Sequence, residues 1–265
     1  MKIVIIYGSP HKGITYETVQ IAKTELQKLG PVQFTEVHLP QDMPAFCKGC
    51  FQCFQKGEAT CPDATFIQPI VAAMMEADGL IISTPVYALQ ISGGLKAFFD
   101  HMAYCYLNHR PRFFKQKALI ITTTAGAGIN NCNKYIAQNL SFWGINKIYA
   151  FGEKMLAISW RDVPPGVRAK ATKRLQQTAR VFYNDLNSKK VYPPSFLQAI
   201  MFQVSRLLME SNQESADGEY WQEKGWLNKR CEYFHPDAKP GKLKRIVGGL
   251  ASYVFRKIIK INPVQ

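Results

Sequence analysis

The sequence predicts an α/β fold on a five-stranded parallel sheet, followed by a mostly helical C-terminal extension. Three observations predict it. Short apolar, β-branched runs recur up to residue 152 and alternate with segments of helical period. Each run stops at glycine, proline or small hydroxyl residues. Beyond residue 188 the rhythm breaks at Pro193-Pro194 and no further strand-like run follows.

Each element has its own justification. Lys2-Ile3-Val4-Ile5-Ile6-Tyr7 is apolar without alternation after its first residue, as a strand covered on both faces requires. Gly8-Ser9-Pro10 ends it, and a polar loop opens a helix whose Val19, Ala22 and Leu26 share one side. A strand leading through a polar loop into a helix is suited to anions, because the first amides of the helix lack partners and its dipole favours negative charge. The loop lacks G-x-G-x-x-G and a G-K-[ST] ending, so it is neither a dinucleotide fingerprint nor a Walker loop. An ordinary βα turn is the plain alternative. Residues 32–39 alternate, as an outer strand would.

Residues 65–77 carry a helical stripe of Ile67, Ile70, Val71, Met74 and Met75, with the two methionines read as core filling. The third strand, 79–84, ends at Pro85, and a helix over 92–100 follows, with Lys96 and Asp100 paired across one turn. Strand 117–123 runs into Ala125-Gly126-Ala127-Gly128. A helix over 131–143, a strand over 147–152 and a basic amphipathic helix over 168–187 complete the alternation. Such repeated βα units put helices on both faces of a parallel sheet. The predicted organisation is a sheet domain, 1–188, and an extension, 189–265, packing on that domain or on a partner subunit. The extension holds helices over 195–210 and 242–261 around an aromatic segment, 217–235, whose Trp221 and Trp226 read as packing residues.

Composition narrows the function. The 265 residues are 47% hydrophobic and 20% charged, ordinary for a globular chain. The formal net charge of +14 points to an anionic partner: a phosphorylated cofactor, nucleic acid or an acidic membrane surface. No nucleic-acid signature accompanies the charge, so that partner is not expected. The chain enters a strand at once, without the pattern of a secretory leader, and no apolar run has membrane-crossing length. Seven cysteines, an odd number with four clustered, favour a reducing compartment and a metal or redox role; cytoplasmic residence is the expectation.

In an open parallel sheet, ligands bind beyond the carboxyl ends of the strands, where strand order reverses. Three strand ends carry suitable residues: the Ser9–Tyr16 loop, Thr84-Pro85-Val86-Tyr87 running on to Ser92-Gly93-Gly94, and Thr123-Thr124-Ala125-Gly126-Ala127-Gly128. The first suits a phosphate. The second offers Tyr87 as a flat surface, and the third offers small residues for close approach to a planar ring. Together they suit flavin mononucleotide (FMN).

Cys47-x2-Cys50-x2-Cys53-x7-Cys61 is the second strong signal. Thiolates are soft ligands suited to iron–sulfur clusters and to zinc. Gly49 and Gly57 would give the loop the freedom to wrap such a centre, and an empty loop is the plain alternative. Cys105, Cys132 and Cys231 read as packing residues, and His101 and His109 have no partner at ligand spacing. The segment 239–261 reads as a basic amphipathic helix, which either lies on an anionic membrane surface or buries its apolar side in domain or subunit packing, the latter favoured.

The succession Gly8-Ser9-Pro10-His11-Lys12-Gly13, Thr84-Pro85-Val86-Tyr87 and Gly94-Leu95-Lys96-Ala97-Phe98-Phe99-Asp100 resembles the flavodoxin-like NAD(P)H-dependent FMN reductase family, and within it the iron–sulfur flavoprotein branch. The resemblance covers roughly the first 185 residues. It implies a doubly wound, flavodoxin-like sheet with FMN held noncovalently. By motif position, Ser9, His11, Thr15 and Tyr16 would hold the phosphate. Pro85, Val86 and Tyr87 would lie against the ring, and Thr124, Ala125, Gly126 and Gly128 would flank its pyrimidine edge. Cys47, Cys50, Cys53 and Cys61 would carry a [4Fe–4S] cluster. His11 stands where many relatives have Arg, so the phosphate contact there is expected to be weaker or made by backbone alone. The implied activity is transfer of electrons from NADH or NADPH to a small acceptor such as a quinone or flavin, by a homodimer. An electron carrier without a small-molecule substrate is the alternative.

Overall fold

The structure is a computed structural model describing residues 1–258. Strands β1 (Lys2–Tyr7), β2 (Gln33–His38), β3 (Gly79–Pro85), β4 (Lys117–Thr124) and β5 (Ile148–Lys154) form one sheet in the order β2-β1-β3-β4-β5. Every pairing is parallel, with Tyr7 opposite both His38 and Ser83, and Thr84 opposite Thr122. The chain winds outward from β1 to β2, then crosses back to β3 on the other side of β1. The strand order therefore reverses between β1 and β3, and in such sheets ligands bind beyond the strand ends at this switch point.

The β-branched runs bury both faces of the sheet. Val4, Ile6, Leu80, Ile82 and Ile120 face a layer made by α3 (Ala64–Glu76), α4 (Gly93–His101) and α5 (Ile129–Phe142). Ile3, Ile5, Ile81, Leu119 and Ile121 face α1 (Ile14–Leu29) and α6 (Pro165–Asn187). Each such side chain contributes roughly 1.5–3 kcal/mol by leaving water, so the central strands are a firmly buried platform. Met74 is fully buried as expected, but Met75, about 100° further round the helix, lies outside the buried stripe at 43% exposure. A short helix, α2 (Gln52–Gln55), interrupts the long β2–α3 connection.

The extension folds back on the sheet domain. Helix α7 (Phe196–Glu210) starts at a capping box, in which Ser195 and Gln198 satisfy each other's backbone amides. The Gln198 amide also donates to the Ser141 carbonyl at 3.1 Å. An aromatic cluster of Phe202, Trp221, Trp226, Tyr233 and Phe234 packs against Phe114 of the sheet domain. Trp221 and Tyr220 belong to α8 (Ala216–Glu223), a helix within the segment read from sequence only as polar and aromatic. Eight residues are too few to display a helical period. Helix α9 (Lys242–Ile258) lies along α7; residues 259–261 of the expected helix are outside the described residues. No helix among the described residues is long and apolar enough to cross a membrane.

Candidate functional site

The loop after β1 is held tightly against β3 and the start of α4. The Gly8 amide donates to the Ser83 carbonyl at 2.8 Å, and Ser92 donates its hydroxyl to the Gly8 carbonyl. A Cβ at Gly8 would stand 2.8 Å from the Ser83 carbonyl and 2.9 Å from Ser92 Oγ, so this approach needs glycine. Ser92 is also the N-cap of α4. The start of α1 differs: no side chain caps it, and its first helical bond runs from the Glu17 amide to the Gly13 carbonyl. The amides of Ile14, Thr15 and Tyr16 thus face outward at the positive end of the helix dipole. Thr15 is buried and its Oγ1 lies 2.7 Å from Thr123 Oγ1, which ties α1 to the end of β4.

These ends enclose a cleft of about 240 Å³. Ser9, His11 and Thr15 line one end. Pro85, Val86 and Tyr87 after β3, and Thr124 and Ala125 at the end of neighbouring β4, line the rest. None of the lining residues is acidic. His11 Nε2 lies 3.5 Å from the Tyr87 hydroxyl, so the β1 and β3 loops meet across the mouth. The Tyr87–Gln90 turn closes by two backbone bonds of 2.9 Å, with Ala88 and Leu89 both at positive φ, 48° and 64°. Two consecutive left-handed non-glycine residues are strained, and such strain gathers at functional sites.

Three of the expected residues sit differently from the resemblance. Tyr16 lines a smaller adjoining hollow with Ser9, His11 and His38, rather than the cleft itself. Gly126 and Gly128 are not on the cleft wall. The Gly126 amide is already bonded to Thr124 Oγ1 at 3.1 Å, and Gly128, at φ 101°, lets the β4 turn pack on Val86 and Leu89. The ring-facing turn is therefore shaped by these glycines rather than presented by them. Ala157 and Ile158, from the loop after β5, complete the lining. Ile158 is 94% exposed at the mouth. The apolar string Met155-Leu156-Ala157-Ile158 just beyond the fifth strand was the available signal.

The cysteine run lies between β2 and α3. Cys47 and Cys50 are exposed, Cys53 and Cys61 half-buried, and all four line one hollow of about 30 Å³. Gly49 and Gly57 take positive φ of 63° and 95°, as does Phe51 at 58°. Burial raises the Cys53 and Cys61 thiols, and the neighbouring cysteines raise them further. Four thiols lining one hollow are a donor set for a soft cation, whose charge offsets the cost of ionising the half-buried pair.

Polar contacts beside this hollow were invisible in the sequence. His101 is buried, with Nδ1 2.8 Å from the Ala97 carbonyl and Nε2 3.0 Å from Asp63 Oδ2. His109 Nδ1 lies 2.7 Å from Asp217 Oδ2. Both histidines thus have partners, contrary to the reading from spacing. Arg110, also buried, reaches the Cys53 carbonyl and the Glu58 carboxylate, and its Nε lies 2.8 Å from Asp217 Oδ1 in an ion contact rather than a straight hydrogen bond. Arg112 holds the other Glu58 oxygen at 2.7 Å. Burial alone would raise the Glu58 carboxyl, but the Arg112 and Arg110 guanidiniums outweigh it and hold it below the ordinary range. Trp221 of α8 donates to the His109 carbonyl at 2.6 Å. The extension is thereby riveted to the cysteine loop through Arg110.

A family model described as NADPH-dependent FMN reductase matches residues 1–156. An iron–sulfur flavoprotein of Archaeoglobus fulgidus is 29% identical over 233 residues, which cover 86% of this chain and 100% of that protein. The FMN-dependent NAD(P)H:quinone oxidoreductase 1 of Pseudomonas aeruginosa is 27% identical over 151 residues, 48% of this chain and 71% of that one. Among solved structures, an azoreductase from Bacillus anthracis superposes with a TM-score of 0.54 at 14% identity, covering 69% of this chain and 99% of that one, a likeness of fold. The predicted doubly wound, flavodoxin-like sheet is borne out. With that family model spanning more than half of its length, the chain belongs to the NADPH-dependent FMN reductase family of oxidoreductases, in the iron–sulfur flavoprotein branch.

Proposed function

We propose that the cleft at the β1/β3 switch point binds FMN, that NADH or NADPH is the electron donor, and that the acceptor is a small oxidant of the quinone or flavin class. The observation that carries this reading is the convergence of three strand ends on one acid-free cleft with helix amides and hydroxyls at one end. Ser9, His11, Thr15 and the α1 amides suit a phosphate, with Tyr16 alongside. Pro85, Val86 and Tyr87 suit the face of a flat ring, and Thr124 and Ala125 its polar edge.

When bound, FMN supplies the two-electron exchange by which reduced nicotinamide is oxidised and, with one added proton, a quinone becomes a hydroquinone. The chain's own contribution is placement. The buried strand ends fix the walls, and the Thr15–Thr123 bond fixes the anion end against the ring end. No side chain in the cleft is assigned as an acid or base.

In the same reading Cys47, Cys50, Cys53 and Cys61 hold a [4Fe–4S] cluster, which supplies one-electron transfer. The thiol set suits zinc as well, and kinship with proteins named iron–sulfur flavoproteins favours iron. The assembly proposed is a homodimer in the reducing cytoplasm. The test is a visible spectrum of anaerobically purified protein, with iron, sulfide and zinc analysis and a measured mass. Flavin bands with matched iron and sulfide are expected. A colourless protein that takes up no FMN would sink the flavin assignment, and zinc in place of iron would sink the cluster.

A further inference from the structure

Helix α9 faces the wrong way for a helix whose task is to cover the body of the protein. Residues on a helix advance 100° each, so positions 243, 246, 250, 254 and 258 share one side. Leu243, Ile246, Leu250, Val254 and Ile258 occupy it. The sequence favoured burial of this stripe in packing. Instead it points outward, each residue between 53% and 70% exposed. The opposite, small-residue side meets α7. Gly248 is buried, where a Cβ would come 3.1 Å from the Ala199 carbonyl, and Ser252 Oγ lies 3.4 Å from the Gln203 carbonyl. Phe196 and Leu197, at the start of α7, are also exposed, at 46% and 53%.

Charge identifies what covers the stripe. The 17 residues of α9 include Lys242, Lys244, Arg245, Arg256 and Lys257 and no carboxylate. Arg245 pairs with Glu232, Arg256 approaches Glu210 at 3.8 Å, and Lys244 donates to the Pro194 carbonyl. Among the described residues, no ion pair engages Lys242 or Lys257; both are exposed, Lys257 within the stripe and Lys242 at its flank. A second copy docked through this same stripe would bring lysines to lysines with no acid between them. A surface of anionic head groups meets both needs, neutralising the lysines while its acyl boundary takes up the leucine, isoleucine and valine side chains.

We propose that α9 docks the protein, lying flat, on an anionic membrane surface. The net charge of +14 acts in the same direction. The proposal is independent of what occupies the cleft or the cysteine hollow.

Co-sedimentation of the full-length protein with phosphatidylcholine vesicles, with and without phosphatidylglycerol, tests it. Binding to the mixed vesicles, little to the neutral ones, and weakening with added salt are expected. The double variant Leu250→Glu/Val254→Glu should lose binding. Lys242→Gln/Lys257→Gln should weaken it by roughly twentyfold, at about fivefold for each lysine near the surface. Solution mass and visible spectrum should match the parent in both variants, since all four side chains are exposed. Equal binding to neutral vesicles, or binding that survives the glutamates, overturns the proposal. So does a solution mass that falls in Leu250→Glu/Val254→Glu, which would assign the stripe to a second copy.

Discussion

The cleft and the cysteine hollow follow strands of one sheet but are built by different means. The cleft inherits its shape from buried strand ends. Thr123 and Thr84 are almost wholly buried, Ser92 ties the β1 loop to α4, and the free amides of α1 point where helix geometry directs them. The hollow is made of side chains on a long connection with three left-handed residues, Gly49, Phe51 and Gly57. Its order comes from outside, through Arg110 and Arg112 gripping Glu58 and through Asp217 of the extension. The lesson is that a site for a phosphate and a flat ring can come with the fold, because backbone supplies most of it. A thiolate site needs a clamp, because nothing in the sheet dictates where cysteines on a loop will stand.

If the two sites are independent in this way, each can be removed without the other. The largest separation is expected from Cys50→Ser, which should abolish nearly all bound iron while the flavin absorbance stays at parental level. Loss of both together would mean that the loop also builds the cleft. The reverse cut is Gly128→Ala. Its Cβ would stand 2.6 Å from Val86 Cγ1 at a φ of 101°, costing about 2–3 kcal/mol of stability and displacing the Val86–Tyr87 wall. FMN retention should fall and iron content should not, as read by a denaturant series and cofactor analysis. Asp217→Asn should be milder. Arg110 keeps Glu58 and the Cys53 carbonyl, so about 2 kcal/mol is expected, below the range for stripping a buried charge of every partner. The metal-free variant should react faster with a thiol reagent at Cys53, and an unchanged rate would deny Arg110 any clamping role.

The same contrast explains what could be read before the structure was known. Ile3 to Ile6 and Leu119 to Ile121 announce themselves because a strand covered on both faces admits little but branched apolar residues. The ends of β1, β3 and β4 were legible as a site because their small and hydroxyl residues interrupt that pattern abruptly. The cysteine spacing was legible for its chemistry, but its clamp was not. Arg110 and Asp217 are 107 residues apart, and each alone is an ordinary surface charge by type. Asp63 and His101 met through the same kind of long-range closure. Period also has limits: it located α9 and its apolar stripe, but it carries no sign, and the stripe lies on the side away from α7.

The smallest effect is a difference in acid response. The Glu58 carboxyl lies below its ordinary range in the folded protein because its two arginines outweigh the cost of burial. Its pairing therefore stabilises the loop fully above the unfolded carboxyl value of about 4.3 and is lost as pH falls through the lower folded value. The cleft lining holds no carboxylate, so it has no matching step. Hydrogen exchange, corrected for intrinsic rates and followed from about pH 5 to about pH 3, should show peptides spanning 47–63 losing protection before those spanning 79–95. Glu58→Gln should lower protection of the cysteine loop at pH 5 and flatten its acid dependence, leaving the strand-end peptides as they were. Equal loosening of both regions would show that acid acts on the whole domain, and that the clamp is not a separately titrating unit.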